Sequence, residues 1–261
     1  MIWGVRDNPE AVKPFVEHLQ DLRATILWSL GFLVAGMTIA IPLAPHILQL
    51  TKAPIAAAGK DPDTFLRVLR VTGGLSIALR VILWSGVIFS LPLIILVVGR
   101  FVLPGLKSNE KRALAQASGF AVLLFAAGVC MGYFTTLPVA IRMMLRINAW
   151  LGLRTEFVEL ADYVSFVLRL LLSFGLAFEL PVVLVALGNL GIVHSRQLRD
   201  KRPHVIVGLL IVAMILTPPD PLTQLLMAGP LVLLYEMCIW LIWFRERTRN
   251  RKSTTVGEKH G

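Results

Sequence analysis

Glu179 lies between two apolar stretches, residues 170–178 and 180–188, neither of which holds another charged side chain. Within a bilayer an ionisable group costs several kcal/mol, on the order of the published range, so it normally has a partner or a task. The chemistry open to it is hydrogen bonding between helices, proton or ion binding, or reception of a partner's polar group. Gln224, Thr217 and Asp220 are further polar residues beside apolar runs, and together they form a candidate polar patch at the opposite end of the same region. A second kind of chemistry is offered by acids set among bases. Glu17 and Asp21 are four apart, so they share a face if their segment is helical. Glu110 stands in the run Lys107-Ser108-Asn109-Glu110-Lys111-Arg112. Paired carboxylates suit paired guanidinium groups, which bind them through two parallel hydrogen bonds that an ammonium cannot reproduce. Solvated charge balance is the plainer account of the same residues.

The elements that must hold these groups are membrane helices. The chain has 261 residues, 56% hydrophobic and only 16% charged, with mean hydropathy +0.73. Soluble domains carry about 25% charged residues. Residues 24–51 contain no Asp, Glu, Lys or Arg. They define span one at 24–46, bent near Pro42 and Pro45. Span two has its body at 81–99 and begins near Gly74. Span three covers 113–141, and span four covers 164–188 with Arg169 and Glu179 inside it. Pro181, two residues beyond Glu179, frees a carbonyl and kinks span four. The turn Thr217-Pro218-Pro219-Asp220-Pro221 cannot continue a helix, so it separates span five, 203–217, from span six, 221–243. These last two are short and imply local thinning or tilt. Backbone polar groups in lipid are satisfied only by helices or closed barrels, and these runs are too continuous for barrel strands. The expected fold is therefore an all-α membrane protein with six spans.

Charge supplies orientation. The N-terminus, residues 100–112, residues 189–202 and the tail after 244 hold three, four, four and six Lys or Arg residues; the opposite loops hold seven in all. The excess places both termini in the cytoplasm. The net charge of +10 thereby follows the membrane rule, and no nucleic-acid-binding fold is visible. Residues 1–23 are polar and precede the first apolar run, which reads as a retained span and not a cleavable signal. The membrane domain then occupies 24–244, and 245–261 forms a disordered basic tail able to touch anionic lipid. The long loop 52–73 suggests an interfacial helix. Cys130 and Cys238 read as buried free thiols. Gly128 and Gly132 form a small-xxx-small pair suited to close helix packing. No zinc-protease, nucleophile-elbow or phosphate-loop motif is present, and no cofactor is expected.

Several strings in order resemble the TatC family, the multispanning receptor subunit of the twin-arginine protein translocase. They are His18-Leu19-Gln20-Asp21-Leu22-Arg23, Leu103-Pro104-Gly105-Leu106 with Asn109-Glu110-Lys111-Arg112, Gly132-Tyr133-Phe134 with Pro138, Tyr163-Val164-Ser165-Phe166, Phe178-Glu179-Leu180-Pro181, Arg202-Pro203 and Thr217-Pro218-Pro219-Asp220 with Gln224. The likeness runs from about residue 14 to residue 236. It implies recognition of twin-arginine signal peptides on folded cargo, driven by the proton-motive force and without catalysis. It assigns arginine recognition to Asp21 and Glu110, with Arg23, Lys111, Arg112 and the neighbouring Glu17. The family usually has Glu where this chain has the shorter Asp21. Glu179 and Gln224, with Thr217 and Asp220, match a polar site for single-span TatA-type and TatB-type partners in a multimeric complex. Pro54, Phe134, Pro138 and Pro181 match structural positions. The setting implied is the bacterial cytoplasmic membrane. A proton-coupled solute transporter using Glu179 is the competing account, although no internal repeat of the kind common in such transporters is visible.

Overall fold

A computed structural model describes residues 15–102, 110–153, 156–189, 193–216 and 221–257. The described residues are almost wholly helical. Helix α1 spans Phe15–Ala57, and a single helical turn, α2, spans Pro62–Phe65. A two-residue strand, β1, covers Leu66–Arg67. Then come α3 (Gly73–Val102), α4 (Glu110–Met131), a π-helical turn (Gly132–Thr136) and α5 (Leu137–Trp150). Strand β2 (Val158–Glu159) leads into α6 (Leu160–Phe178) and α7 (Leu180–Asn189). The chain ends with α8 (Ser195–Asp200), α9 (Arg202–Leu216) and α10 (Pro221–Gly257).

Five described helical stretches are long and apolar enough to cross a membrane: Leu19–Ala57, Gly73–Gly99, Gly119–Trp150, Leu160–Val185 and Gln224–Phe244. A shorter apolar helix covers Arg202–Ile211. The apolar stretches run past the boundaries that hydropathy suggests. Helix α1 continues through Pro42, Pro45 and Pro54 to Ala57. A proline removes one ladder bond but leaves the remaining turns intact. The third stretch likewise continues beyond residue 141 to Trp150, joined across the π turn.

The α6 segment is the core. Val164, Val167, Leu170, Phe174 and Ala177 are buried along it, and α1, α3, α4, α9 and α10 pack around it. Close contact with α4 depends on small residues. A Cβ on Gly128 would stand 2.6 Å from the Phe174 carbonyl oxygen, and one on Gly132 would stand 3.0 Å from the Phe174 ring. Packing is thus what the small-xxx-small pair does here. Helices α1 and α3 approach in the same way, since a Cβ on Gly36 would lie 2.6 Å from the Gly86 carbonyl oxygen.

Three further expectations are corrected. In place of a longer amphipathic helix, residues 52–73 hold only the end of α1, the single turn α2, β1 and the first residue of α3. The end of α1 runs to residue 57, Gly59 turns the chain with φ +81°, and β1 pairs in parallel with β2, Leu66 opposite Val158 and Arg67 opposite Glu159. The Arg67 guanidinium lies 5.3 Å from the Phe157 ring, and Lys52 bonds Asp63 at 2.9 Å, so this cap is fastened by side chains as well. The expected disordered tail is helical to Gly257, because no Pro or Gly interrupts residues 231–256. Cys130 is exposed, whereas Cys238 is buried; both are free.

Candidate functional site

Glu179 sits at the joint between α6 and α7. Its N–H donates to the Leu176 carbonyl at 3.1 Å, a tightened last turn. Pro181 follows and has no N–H to offer the Ala177 carbonyl, and the helix is interrupted at Glu179. The side chain is 5% exposed, and among the described residues neither carboxylate oxygen has a hydrogen-bond partner. A buried acid left without a donor costs more than the same group in water. Among the described residues it is thus a buried acid whose hydrogen-bonding capacity is unused. Pro181 is itself buried, and its carbonyl oxygen lies 3.7 Å from the Cys238 sulfur of α10. An apolar cavity of about 130 Å³ opens beside the joint, lined by Leu180, Pro181, Val205, Leu209, Leu231 and Tyr235.

Gln224 does not join Glu179 in one site. Its Nε2 donates to the Leu210 carbonyl at 3.0 Å, fastening α10 to α9. Cys238 marks the level of Pro181, and Gln224 is fourteen residues earlier, about 21 Å of helix. Thr217 and Asp220 lie outside the described residues.

The acidic pair begins α1. Glu17 and Asp21 fall on successive turns of one face. Asp21 is half-buried, Arg23 is exposed, and the Asp21 carbonyl accepts the Thr25 hydroxyl at 2.8 Å. Glu110 is the first residue of α4, followed by Lys111 and Arg112. The side chains of Glu17, Glu110, Lys111 and Arg112 lie outside the described residues, as does the loop 103–109.

Among the structural positions, Pro54 is buried in α1 and Pro138 stands in the first turn of α5, its carbonyl accepting Arg142 Nε at 3.1 Å. Phe134 is 73% exposed and stacks edge-on against Tyr133 at 4.9 Å.

Hydropathy missed the polar fastenings. All three tyrosines donate their hydroxyls to carbonyls of other helices: Tyr133 to Leu50 at 2.9 Å, Tyr163 to Thr51 at 2.8 Å and Tyr235 to Leu198 at 2.8 Å. Arg80 Nη1 bonds the Ala161 carbonyl, Asp162 Oδ1 and Ser165 Oγ, each at 3.0 Å, joining α3 to the start of α6. Arg202 Nη2 reaches Glu236 Oε2 at 2.7 Å. Ser195 donates from both its N–H and its hydroxyl to Glu246. The available clue was a polar residue at the border of each apolar run, without any sign of its mate.

Residues 17–230 match the family model described as Sec-independent protein translocase protein (TatC). The TatC protein of Aquifex aeolicus is 36% identical over 228 residues, 87% of this chain and 94% of that protein. The TatC protein of Escherichia coli K12 is 31% identical over 244 residues, 93% of each chain. A crystal structure of a twin-arginine translocase receptor, TatC, superposes with a TM-score of 0.75 at 36% identity, covering 86% of this chain and 98% of that one. With fold and sequence matched over nearly their full lengths, the chain belongs to the TatC family of Sec-independent protein translocase proteins.

Proposed function

We propose that this chain is the receptor and assembly platform of a twin-arginine translocase. It is a multi-pass protein of the bacterial inner membrane and a translocase subunit. The observation that carries the finer reading is the likeness, over most of both chains, to a solved twin-arginine translocase receptor. In this reading α9 is a sixth, short span. Its fifteen residues reach about 22 Å, against a hydrocarbon core of about 30 Å. Both termini face the cytoplasm, supported by the excess of Lys and Arg at that end.

The signal peptide presents two guanidinium groups to the carboxylates of Asp21 and Glu110. Each guanidinium–carboxylate pair makes two parallel charge-assisted bonds, which sets arginine apart from lysine. Glu17 adds negative potential, while Arg23, Lys111 and Arg112 keep the acids separated and oriented. The apolar part of the peptide then lies along the helices. A single-span partner of TatA or TatB type brings a polar group to Glu179, and further partners use the Gln224, Thr217 and Asp220 region. The proton-motive force drives passage, and no covalent bond is made or broken. The solute-transporter account is not favoured by the family match.

The test is site-specific crosslinking of a twin-arginine signal peptide to the purified chain. Asp21→Ala with Glu110→Ala should abolish the crosslink, and a peptide with two lysines should fail on the unaltered chain. Equal crosslinking by either peptide would overturn the recognition scheme.

A further inference from the structure

The far end of the apolar stretch of α10 carries a feature outside the residues assigned above to signal recognition and partner assembly. Met237, Trp240, Leu241, Trp243 and Phe244 line an open apolar groove, with Trp240 62% and Phe244 67% exposed. Immediately beyond it, two arginines converge on one ring. The guanidinium carbon of Arg199, from α8, lies 5.8 Å from the centre of the Trp243 ring, and that of Arg247 lies 5.2 Å from it. Both arginines are exposed. Stacking on an indole fixes a guanidinium plane while leaving its N–H edge able to donate.

Two acids of this corner are engaged, and Asp200, beside Arg199 on α8, is exposed and makes no ion pair among the described residues. Glu246 accepts from Ser195, and Glu236 holds Arg202. Among the described residues no carboxylate pairs with Arg199 or Arg247. The result is an apolar trough headed by two cations, at the end of a helix apolar enough to cross a membrane. That order of groups is the order within an anionic phospholipid, acyl chain first and phosphate at the surface. A zwitterionic lipid fills the trough equally but carries an ammonium that offsets the attraction. A partner helix would have no use for two outward guanidinium groups unless it placed an acid there. Ser195 and Glu246 lock α8 onto α10, so the two arginines are held together from separate elements.

We infer that the α8–α10 corner is a binding site for one anionic phospholipid, with its phosphate on Arg199 and Arg247 and an acyl chain in the Trp240–Phe244 groove. Each basic group near a membrane surface is worth enough that losing two changes affinity about tenfold or more.

Native mass spectrometry of the full chain in detergent reads this directly. Phosphatidylglycerol should bind at least about tenfold more tightly than phosphatidylcholine of the same acyl composition. Arg199→Gln with Arg247→Gln should bring the two lipids near parity. Arg142→Gln with Arg146→Gln, which removes the same charge elsewhere, should leave the preference intact. Absence of any preference in the unaltered chain, its survival in the first variant, or equal loss in the second overturns the site. A measurement independent of the charge variants uses lipids brominated on their acyl chains. Brominated phosphatidylglycerol should quench tryptophan emission more than brominated phosphatidylcholine, and the difference should vanish in Trp240→Phe with Trp243→Phe. Equal quenching by both lipids in the unaltered chain also overturns it.

Discussion

Tyr133→Phe tests whether a side chain on the π turn repairs the ladder that Pro54 breaks. In an α-helix the carbonyl of residue 50 accepts from the N–H of residue 54. Pro54 has none, and the Tyr133 hydroxyl reaches the Leu50 oxygen at 2.9 Å in its place. Deleting the hydroxyl should cost about 1 kcal/mol, the net worth of one such bond. With Pro54→Ala present, the new N–H serves the same carbonyl, and the cost of Tyr133→Phe should fall towards zero. The expected coupling in a double-mutant cycle is therefore about 1 kcal/mol, well above the ~0.3–0.5 kcal/mol scatter of independent sites. Tyr163→Phe is the internal control. Its hydroxyl donates to the Thr51 carbonyl at 2.8 Å, whose helical donor is Ile55 and not a proline. Its cost should be additive with Pro54→Ala. Equilibrium unfolding of the detergent-solubilised chain in an SDS titration measures all three effects. If Tyr133→Phe and Pro54→Ala are additive, or if Tyr163→Phe couples as strongly, the repair argument fails.

The glycine contacts and the orphaned acid give two more expectations. Gly128→Ala should destabilise the same preparation by about 1–3 kcal/mol, since its methyl meets the Phe174 carbonyl and the Phe178 side chain, while Gly31→Ala, with nothing within 4 Å, should be neutral or slightly favourable; equal behaviour of the two would refute the close α4–α6 approach. Glu179→Leu should stabilise the isolated chain by about 1–3 kcal/mol, because it removes a buried polar group with no internal donor, yet should reduce copurification of a single-span partner. A loss of stability on unfolding would mean that the carboxylate is already satisfied within the chain.

Much of the scaffold was legible because lipid imposes a one-dimensional rule. A helix crossing it must be apolar for about 20 residues, and a sliding reading of hydropathy detects that without knowing any contact. It located α1, α3, α4 and α10, and it marked Arg169 and Glu179 as the charged residues of span four. Pairing across long separations is not written in such windows. The β1–β2 ladder joins Leu66 to Val158, and two residues leave no period to detect. The π turn at Gly132–Thr136 preserves helical hydropathy, so nothing in composition distinguishes it. Termination was equally hard to read in α1. Its prolines suggested a bend and an early end, but neighbours such as Tyr133 supply what the missing N–H groups withdraw. Within the candidate site, type and depth marked Glu179, whereas the engagement of Gln224 with Leu210 needed coordinates, because its acceptor is a backbone atom of any residue at that level.

The unsatisfied acid at the α6–α7 joint has a consequence for how much of this protein a cell keeps. If the proposed single-span partner brings the missing donor, a chain without it bears a penalty that binding cancels, and binding and folding are then linked by mass action. Under that proposal surplus copies would be the least durable ones, and the supply of the partner helix would set how many persist. A single side chain would in that way enforce stoichiometry after synthesis.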